Sequence, residues 1–336
     1  MNSDLIFGRF DKATVIAFAC SILLLALGAL VKPDFLSFAY IVQQMQTASF
    51  LGIIATGTMI VILMGHIDLS VPWTLTLGAM MATGAQGLLG RYIGPDVALA
   101  LSIPFGILCG MLVGLVNGIG VAYLRAPSMI FTLGVNAVAQ GLMVYHTGGF
   151  APQDKASGLM RWFAVERLIP GVPNPLLIWA LVGVIAVFVL TRTALGRRVY
   201  AIGNKEKAVY LSGVDAKRVV LICFIIAGGF SATGGILLAG WANRSFQAMG
   251  DPYLLPAIAA VVLGGASVMG GKGRYLGTVA GVVLITLLQS ILSVIQPQQM
   301  LADIGLTIPA ESFRQVIFGV VIIGMLLLYG REKAIR

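Results

Sequence analysis

Runs of about 20 apolar residues, each closed by a short polar stretch, recur along the whole chain. A helix needs about 20 such residues to cross a hydrocarbon core about 30 Å thick. The runs fall near 13–31, 47–65, 73–90, 97–124, 128–146, 176–191, 218–241, 253–269, 274–295 and 312–330. Ten crossings would put both termini on one side of a membrane. The run at 97–124 is long for one crossing, which predicts a tilt, a kink at Pro104 or an extension past the bilayer. The first run has the apolar character of a signal peptide. It lacks a small-residue cleavage site and leads through Val31-Lys-Pro-Asp34 into further spans, so it reads as a membrane helix.

Composition agrees with this pattern. Only 10% of the 336 residues are charged and 58% are hydrophobic, against about 25% charged in soluble domains. No stretch is left for a soluble domain, so residues 1–336 read as one all-α transmembrane domain of about ten helices. The net charge of +9 does not form the clustered basic and aromatic face that nucleic acid requires. It serves orientation instead, because cytoplasmic loops collect Lys and Arg. With the N-terminus inside, fifteen of the 22 basic residues fall on inner segments. The seven outer ones are balanced by Asp34, Asp96, Asp154, Glu166, Asp251, Asp303 and Glu311. Trp241 and Tyr253 then fall at outer span ends, Tyr123 and Tyr275 at inner ones, as headgroup-level rings do. Two hydrophilic loops remain: an outer one over 147–175 with the glycines and prolines of an irregular lid, and an inner one over 192–217 that is the most charged stretch of the chain.

Gly106, Gly110, Gly114 and Gly118 line one helix face, and Gly228, Gly229, Gly234, Gly235 and Gly240 do so more loosely. Small residues let helices approach closely in lipid, or line a path for a solute. The glycines of 263–277 do not make a phosphate loop. Ala266 and Gly273 stand where Gly and Ser or Thr are needed, and the segment reads as a tight turn. Cys20, Cys109 and Cys223 sit in separate apolar runs without metal-ligand spacing. No catalytic constellation is present, and His66 and His146 are predicted on opposite sides, so the chain reads as neither enzyme nor metalloprotein. Spans poor in carboxylates and histidines also count against an ion-coupled carrier. Met64-Gly-His-Ile-Asp-Leu-Ser-Val-Pro-Trp73 is a helix break: Gly65 ends one helix, Ser70 caps the next and Pro72 suits its first turn. Asp68 either holds the orphan N–H groups of that break or contacts a solute.

Four segments carry a family resemblance: Ile67-Asp-Leu-Ser70; Asn117-Gly118 followed by Arg125-Ala-Pro-Ser-Met-Ile-Phe-Thr-Leu-Gly134; Thr193-Ala-Leu-Gly-Arg-Arg-Val-Tyr-Ala-Ile-Gly-Asn204 running to Leu211-Ser-Gly-Val214; and Asp251 through Gly281. In this order the chain resembles the membrane permease of bacterial sugar-type ATP-binding-cassette (ABC) importers, the ribose, galactose and xylose permease family, over nearly its whole length. His66 and Pro72, where the family has glycine, and Asn204-Lys-Glu-Lys-Ala208 in the inner loop depart from its pattern.

The resemblance implies a vitamin-B12-importer-like (type II) permease in the bacterial inner membrane, paired with a second copy or a sister permease. Separate ATPase subunits bind the ATP, so this chain needs no cofactor, and an extracytoplasmic binding protein delivers a sugar or small polyol. A nucleoside or branched-chain amino-acid permease is the alternative. The ATPase contact would comprise Gly196, Arg197, Asn204, Lys205, Glu206, Lys207, Tyr210, Leu211 and Gly213, with Asn204 capping a short helix over 205–212 and Gly213 stopping it. The solute path would use Asp68, Ser70, Asn117, Asn136, Gln44 and Gln140.

Overall fold

The computed structural model describes residues 12–150, 152, 154–294 and isolated positions between 312 and 324. The span expected at 312–330 therefore lies largely outside the described residues. Helices α1 (Lys12–Val31), α2 (Phe38–Leu63), α3 (Val71–Ile93), α4 (Pro95–Ala100), α5 (Ser102–Ala122), α6 (Ser128–His146), α7 (Gly158–Val165), α8 (Asn174–Arg192), α9 (Ala194–Leu211), α10 (Ala216–Ala242), α11 (Leu254–Leu263) and α12 (Tyr275–Val294) follow in order. Seven of them (α1, α2, α5, α6, α8, α10 and α12) are long and apolar enough to cross a membrane. The chain is an all-helical, multi-pass membrane protein.

Helix α2 is apolar on every side, as a helix enclosed by others must be, and 89% of its apolar window is buried. It begins nine residues earlier than its apolar run suggests, because Gln43, Gln44 and Gln46 obscure its first turns. Helices α5, α2 and α3 pack around α10. The glycine rows make this possible. Side chains added at Gly110 and Gly114 would collide with the Gly228 and Phe224 carbonyls of α10, and Gly78 of α3 lies 3.3 Å from the Gly106 carbonyl on the same measure. With no water to expel between helices in lipid, this backbone-to-backbone approach supplies the attraction.

The long run at 97–124 is divided at Leu101. Pro104 has no N–H to give to the Ala100 carbonyl, so the interruption falls just ahead of the proline. The stretch 147–175 contains α7, capped by Ser157. Gly240 of α10 lets α7 sit close, at the Met160 carbonyl and Ala164, and the Asn174 amide donates to the Trp162 carbonyl at 2.9 Å. That ordered helix replaces the irregular lid expected there. Tyr275 also departs from expectation: it is buried rather than interfacial, with its hydroxyl 3.1 Å from Thr56 Oγ1.

Candidate functional site

The break after α2 is built as its sequence demands. Gly65 takes φ +80°, which ends the helix, and residues 66–70 run without helical bonds before Thr74 N–H closes the first turn of α3 on the Ser70 carbonyl. Irregular backbone inside a membrane must find its partners within the protein. Here α6 supplies them: Ile67 N–H donates to Ser128 Oγ at 3.3 Å, Leu69 N–H to Thr132 Oγ1 at 2.8 Å and Trp73 N–H to Asn136 Oδ1 at 3.2 Å. Asp68, 3% exposed, accepts from Ser70 N–H at 2.8 Å and Ser70 Oγ at 2.7 Å. The Asn117 amide of α5 donates to Ser70 Oγ at 2.7 Å, which leaves its own buried Oδ1 without a partner.

Four of the expected path residues (Asp68, Ser70, Asn117 and Asn136) thus come together at this junction. Gln140 lies one turn beyond Asn136 and is exposed, whereas Gln44 is buried near the far end of α2, about 28 Å of helix from the break. Ser128 and Thr132 belong to the site and escaped the sequence reading. Their signal was the polar stripe Ser128, Thr132, Asn136, Gln140, which recurs every four residues on an otherwise apolar span.

A second break follows α10. Asn243 takes a left-handed conformation at the helix end. The chain then turns back along α3, with Ser245 Oγ and Thr83 Oγ1 2.8 Å apart and Gly250 N–H donating to Thr76 Oγ1 at 3.2 Å. A side chain at Gly250 would collide with the Pro72 carbonyl. Helix α11 starts from there and has only ten residues. The run at 253–269 thus forms a 3-10 turn over Asp251–Tyr253 and a ten-residue helix, shorter than the crossing expected there. Asp251 and Tyr253 follow directly on the contact of Gly250 with Pro72 at the start of α3.

The basic stretch 192–217 holds α9, an 18-residue helix kinked at Lys205 (φ −164°, ψ 91°). Its true cap is Thr193, whose Oγ1 accepts from Gly196 N–H at 3.3 Å. Asn204 does not cap a separate helix, because its amide donates to the Tyr200 carbonyl at 2.9 Å. The kink at Lys205 does divide the helix where a new one was expected, and Gly213 (φ +76°) ends it with Val214 N–H on the Val209 carbonyl. Arg197, Lys205, Glu206, Lys207, Tyr210 and Leu211 are exposed, while Gly196 is buried in the turn from α8. Gly203 is wedged between Leu63 of α2 and the 270–273 turn. Gly271 N–H donates there to the Leu63 carbonyl at 2.9 Å, and Tyr200 O–H to the Gly273 carbonyl at 2.8 Å. Lys217 stands 5.6 Å over the Tyr123 ring at the same end of the bundle, here termed the basic end.

Two interrupted helices that meet inside an apolar bundle, with a charged helix across one end, define a polytopic membrane permease. Residues 40–326 match the family model described as branched-chain amino acid transport system / permease component, and the chain belongs to that family. It is a transport component rather than an enzyme. It is 33% identical to the ribose import permease protein RbsC of Haemophilus influenzae, over 83% of this chain and 85% of that one. Against the D-allose transport system permease protein AlsC of Escherichia coli it is 30% identical over 89% and 90% of the two chains. The autoinducer 2 import system permease protein LsrC of Salmonella typhi is 30% identical over 96% and 86%.

Proposed function

We propose that this chain is the permease subunit of an ABC importer for a monosaccharide or similar small polyol, with a type II fold and a second permease copy or sister permease beside it. In this reading the basic end and both termini are cytoplasmic, and α9 is the contact for the ATPase subunits. The observation that carries it is the tip of α9. Tyr210 and Leu211 are 75% and 84% exposed on a helix whose exposed positions include Arg197, Arg198, Lys205, Glu206 and Lys207 and which is not among those apolar enough to cross a membrane. Large apolar side chains facing water at a fixed, charged rim are what a protein partner covers. The sugar relatives support the solute class, and the uncharged hydrogen-bonding groups Asn136 and Gln140 suit neutral hydroxyls.

Motion at α9 reaches the membrane directly. Gly203 touches both the last residue of α2 and the 270–273 turn, so a shift of α9 moves the segments that lead into α3 and out of α11. Those two helices start against each other at Pro72 and Gly250. Rocking that pair apart would open the path on one side and close it on the other, with no coupling ion.

The test is uptake of radiolabelled D-ribose, D-allose and L-leucine by proteoliposomes holding this chain with its ATPase and binding-protein partners. Sugar uptake that stops when ATP is withdrawn is expected. Uptake sustained by an ion gradient without ATP overturns the reading, and ATP-driven uptake of leucine alone moves the chain to the amino-acid branch of its family.

A further inference from the structure

We propose that the Asp251 carboxylate stands in the aqueous path halfway through the membrane and accepts hydroxyl hydrogens of the passing solute. The inference rests on the permease reading above and adds a residue that the family motifs and the relatives' names leave without a role.

Depth comes first. Gly250 abuts Pro72 at the start of α3. From Asp251, the ten residues of α11 lead to the glycine turn at the basic end, which packs on Gly65 and Gly203. The 3-10 turn Asp251–Tyr253 and the ten residues of α11 together rise about 20 Å, short of a hydrocarbon core about 30 Å thick, and Trp73 N–H, next to Pro72, meets Asn136 midway along α6. Asp251 is therefore not at a membrane surface.

Its surroundings come second. Asp251 is exposed, and the one ion pair among the described residues is Arg218–Asp215 at 2.8 Å. Its own N–H is taken by the Ala248 carbonyl at 3.1 Å, and no hydrogen bond from another described residue holds its carboxylate. A carboxylate at this depth cannot face acyl chains, because hydrocarbon offers it neither cation nor donor; such groups face water or a partner. Asp68 makes the contrast plain, since it is enclosed and bonded to Ser70, which marks it as the brace of the break.

The face is the third point. Exposed positions on the outward sides of α5 (Leu108, Leu112, Val116) and α8 (Val184, Phe188) are apolar, as lipid requires. Asp251 instead follows Gly250, which abuts Pro72, and the neighbouring Trp73 N–H is held by Asn136 of α6. No cluster of three His, Cys, Asp or Glu that could hold a metal ion occurs among the described residues. A lone carboxylate matches hydroxyl donors instead: its two oxygens can receive both hydrogens of a vicinal diol.

Two experiments on the complete reconstituted complex test this. In a chain with Cys20, Cys109 and Cys223 replaced by alanine, Asp251→Cys should react with a charged, membrane-impermeant methanethiosulfonate, and the adduct should block D-ribose uptake. Labelling only by a lipid-soluble maleimide, or not at all, places the side chain in lipid or in a sealed interface and overturns the proposal. Second, Asp251→Ala, which removes both acceptors, should lower the D-ribose uptake rate well over tenfold, since each hydrogen bond to a charged group is worth about tenfold or more, while Asp251→Asn, which keeps one acceptor, falls between. The same variant should flatten the ratio of D-ribose to D-allose rates, which a folding defect would leave unmoved. Wild-type rates and ratio in Asp251→Ala overturn it as well. A wild-type complex that carries no D-ribose counts against the permease reading, and the labelling, which needs no solute, still decides where residue 251 stands.

Discussion

A single methyl group at Gly203 should separate ATP hydrolysis from transport. Built on this glycine, a Cβ would stand 3.0 Å from Gly271 Cα and closer still to the Leu63 carbonyl oxygen and Gly271 nitrogen. All three neighbours are backbone, so none can rotate away. Accommodating the methyl forces α9 off the 270–273 turn and stretches the bond from Gly271 N–H to the Leu63 carbonyl, 2.9 Å long. Overpacking costs about 1–3 kcal/mol and a weakened hydrogen bond about 1 kcal/mol. Alanine in a helix recovers about 0.5–1 kcal/mol relative to glycine. The net loss is about 1–3 kcal/mol, too small to unfold a large bundle and concentrated at one joint. Gly203→Ala should therefore keep ATP-hydrolysing complexes in proteoliposomes while D-ribose uptake per ATP falls severalfold. Gly134→Ala is the control, since its methyl meets nothing within 4 Å. If Gly203→Ala melts and transports like wild type, the joint does not carry the motion and the reasoning fails.

Charge reversal at the α9 rim, Lys205→Glu with Lys207→Glu, should cut ATP-driven uptake about tenfold or more through like-charge contact with the ATPase while the permease still folds; undiminished uptake would show the contact lies elsewhere. Thr132→Val removes the acceptor of Leu69 N–H and should cost about 1–3 kcal/mol for a buried donor left unpaired. Thr132→Ser should restore the lost thermal stability in detergent, and a valine variant as stable as wild type would refute the ladder. Tyr200→Phe gives up the bond to the Gly273 carbonyl, worth about 1 kcal/mol. Burial pushes the Tyr200 phenol above the usual tyrosine value of 10.0, with the Arg274 charge pulling the other way. The folded state thus favours the protonated phenol, and its stabilising effect is present below pH 10 and lost as pH rises through the higher folded value. The gap in melting temperature between wild type and Tyr200→Phe should be flat from about pH 7 to 9 and close above about pH 10.

What the sequence disclosed, and what it hid, follows from which groups satisfy the backbone. The first break was legible because its stop and start signals are local: Gly65 to end a helix, Asp68 to hold Ser70 N–H, Pro72 to begin the next; the α6 acceptors that complete it were not. The second break was not. Between Trp241 and Leu254 the chain is tied to another helix rather than to itself, with Gly250 N–H on Thr76 Oγ1 and the Ser245 hydroxyl against Thr83 Oγ1 of α3. A rule that each crossing needs about 20 residues then stretched α11 to a full span and carried Asp251 and Tyr253 to the surface. That rule applies to helices facing lipid over their whole length. It lapses where a neighbouring helix meets the half-helix inside the membrane, which is the condition under which discontinuous helices are tolerated. The paired signal was available all the same. Gly65 with Pro72 and Gly250 with Pro252 each mark a glycine followed by a proline inside an apolar region, once on either half of the chain. Each pair stands at a helix start, the two starts meet where Gly250 abuts Pro72, and Asp251 follows directly on that contact.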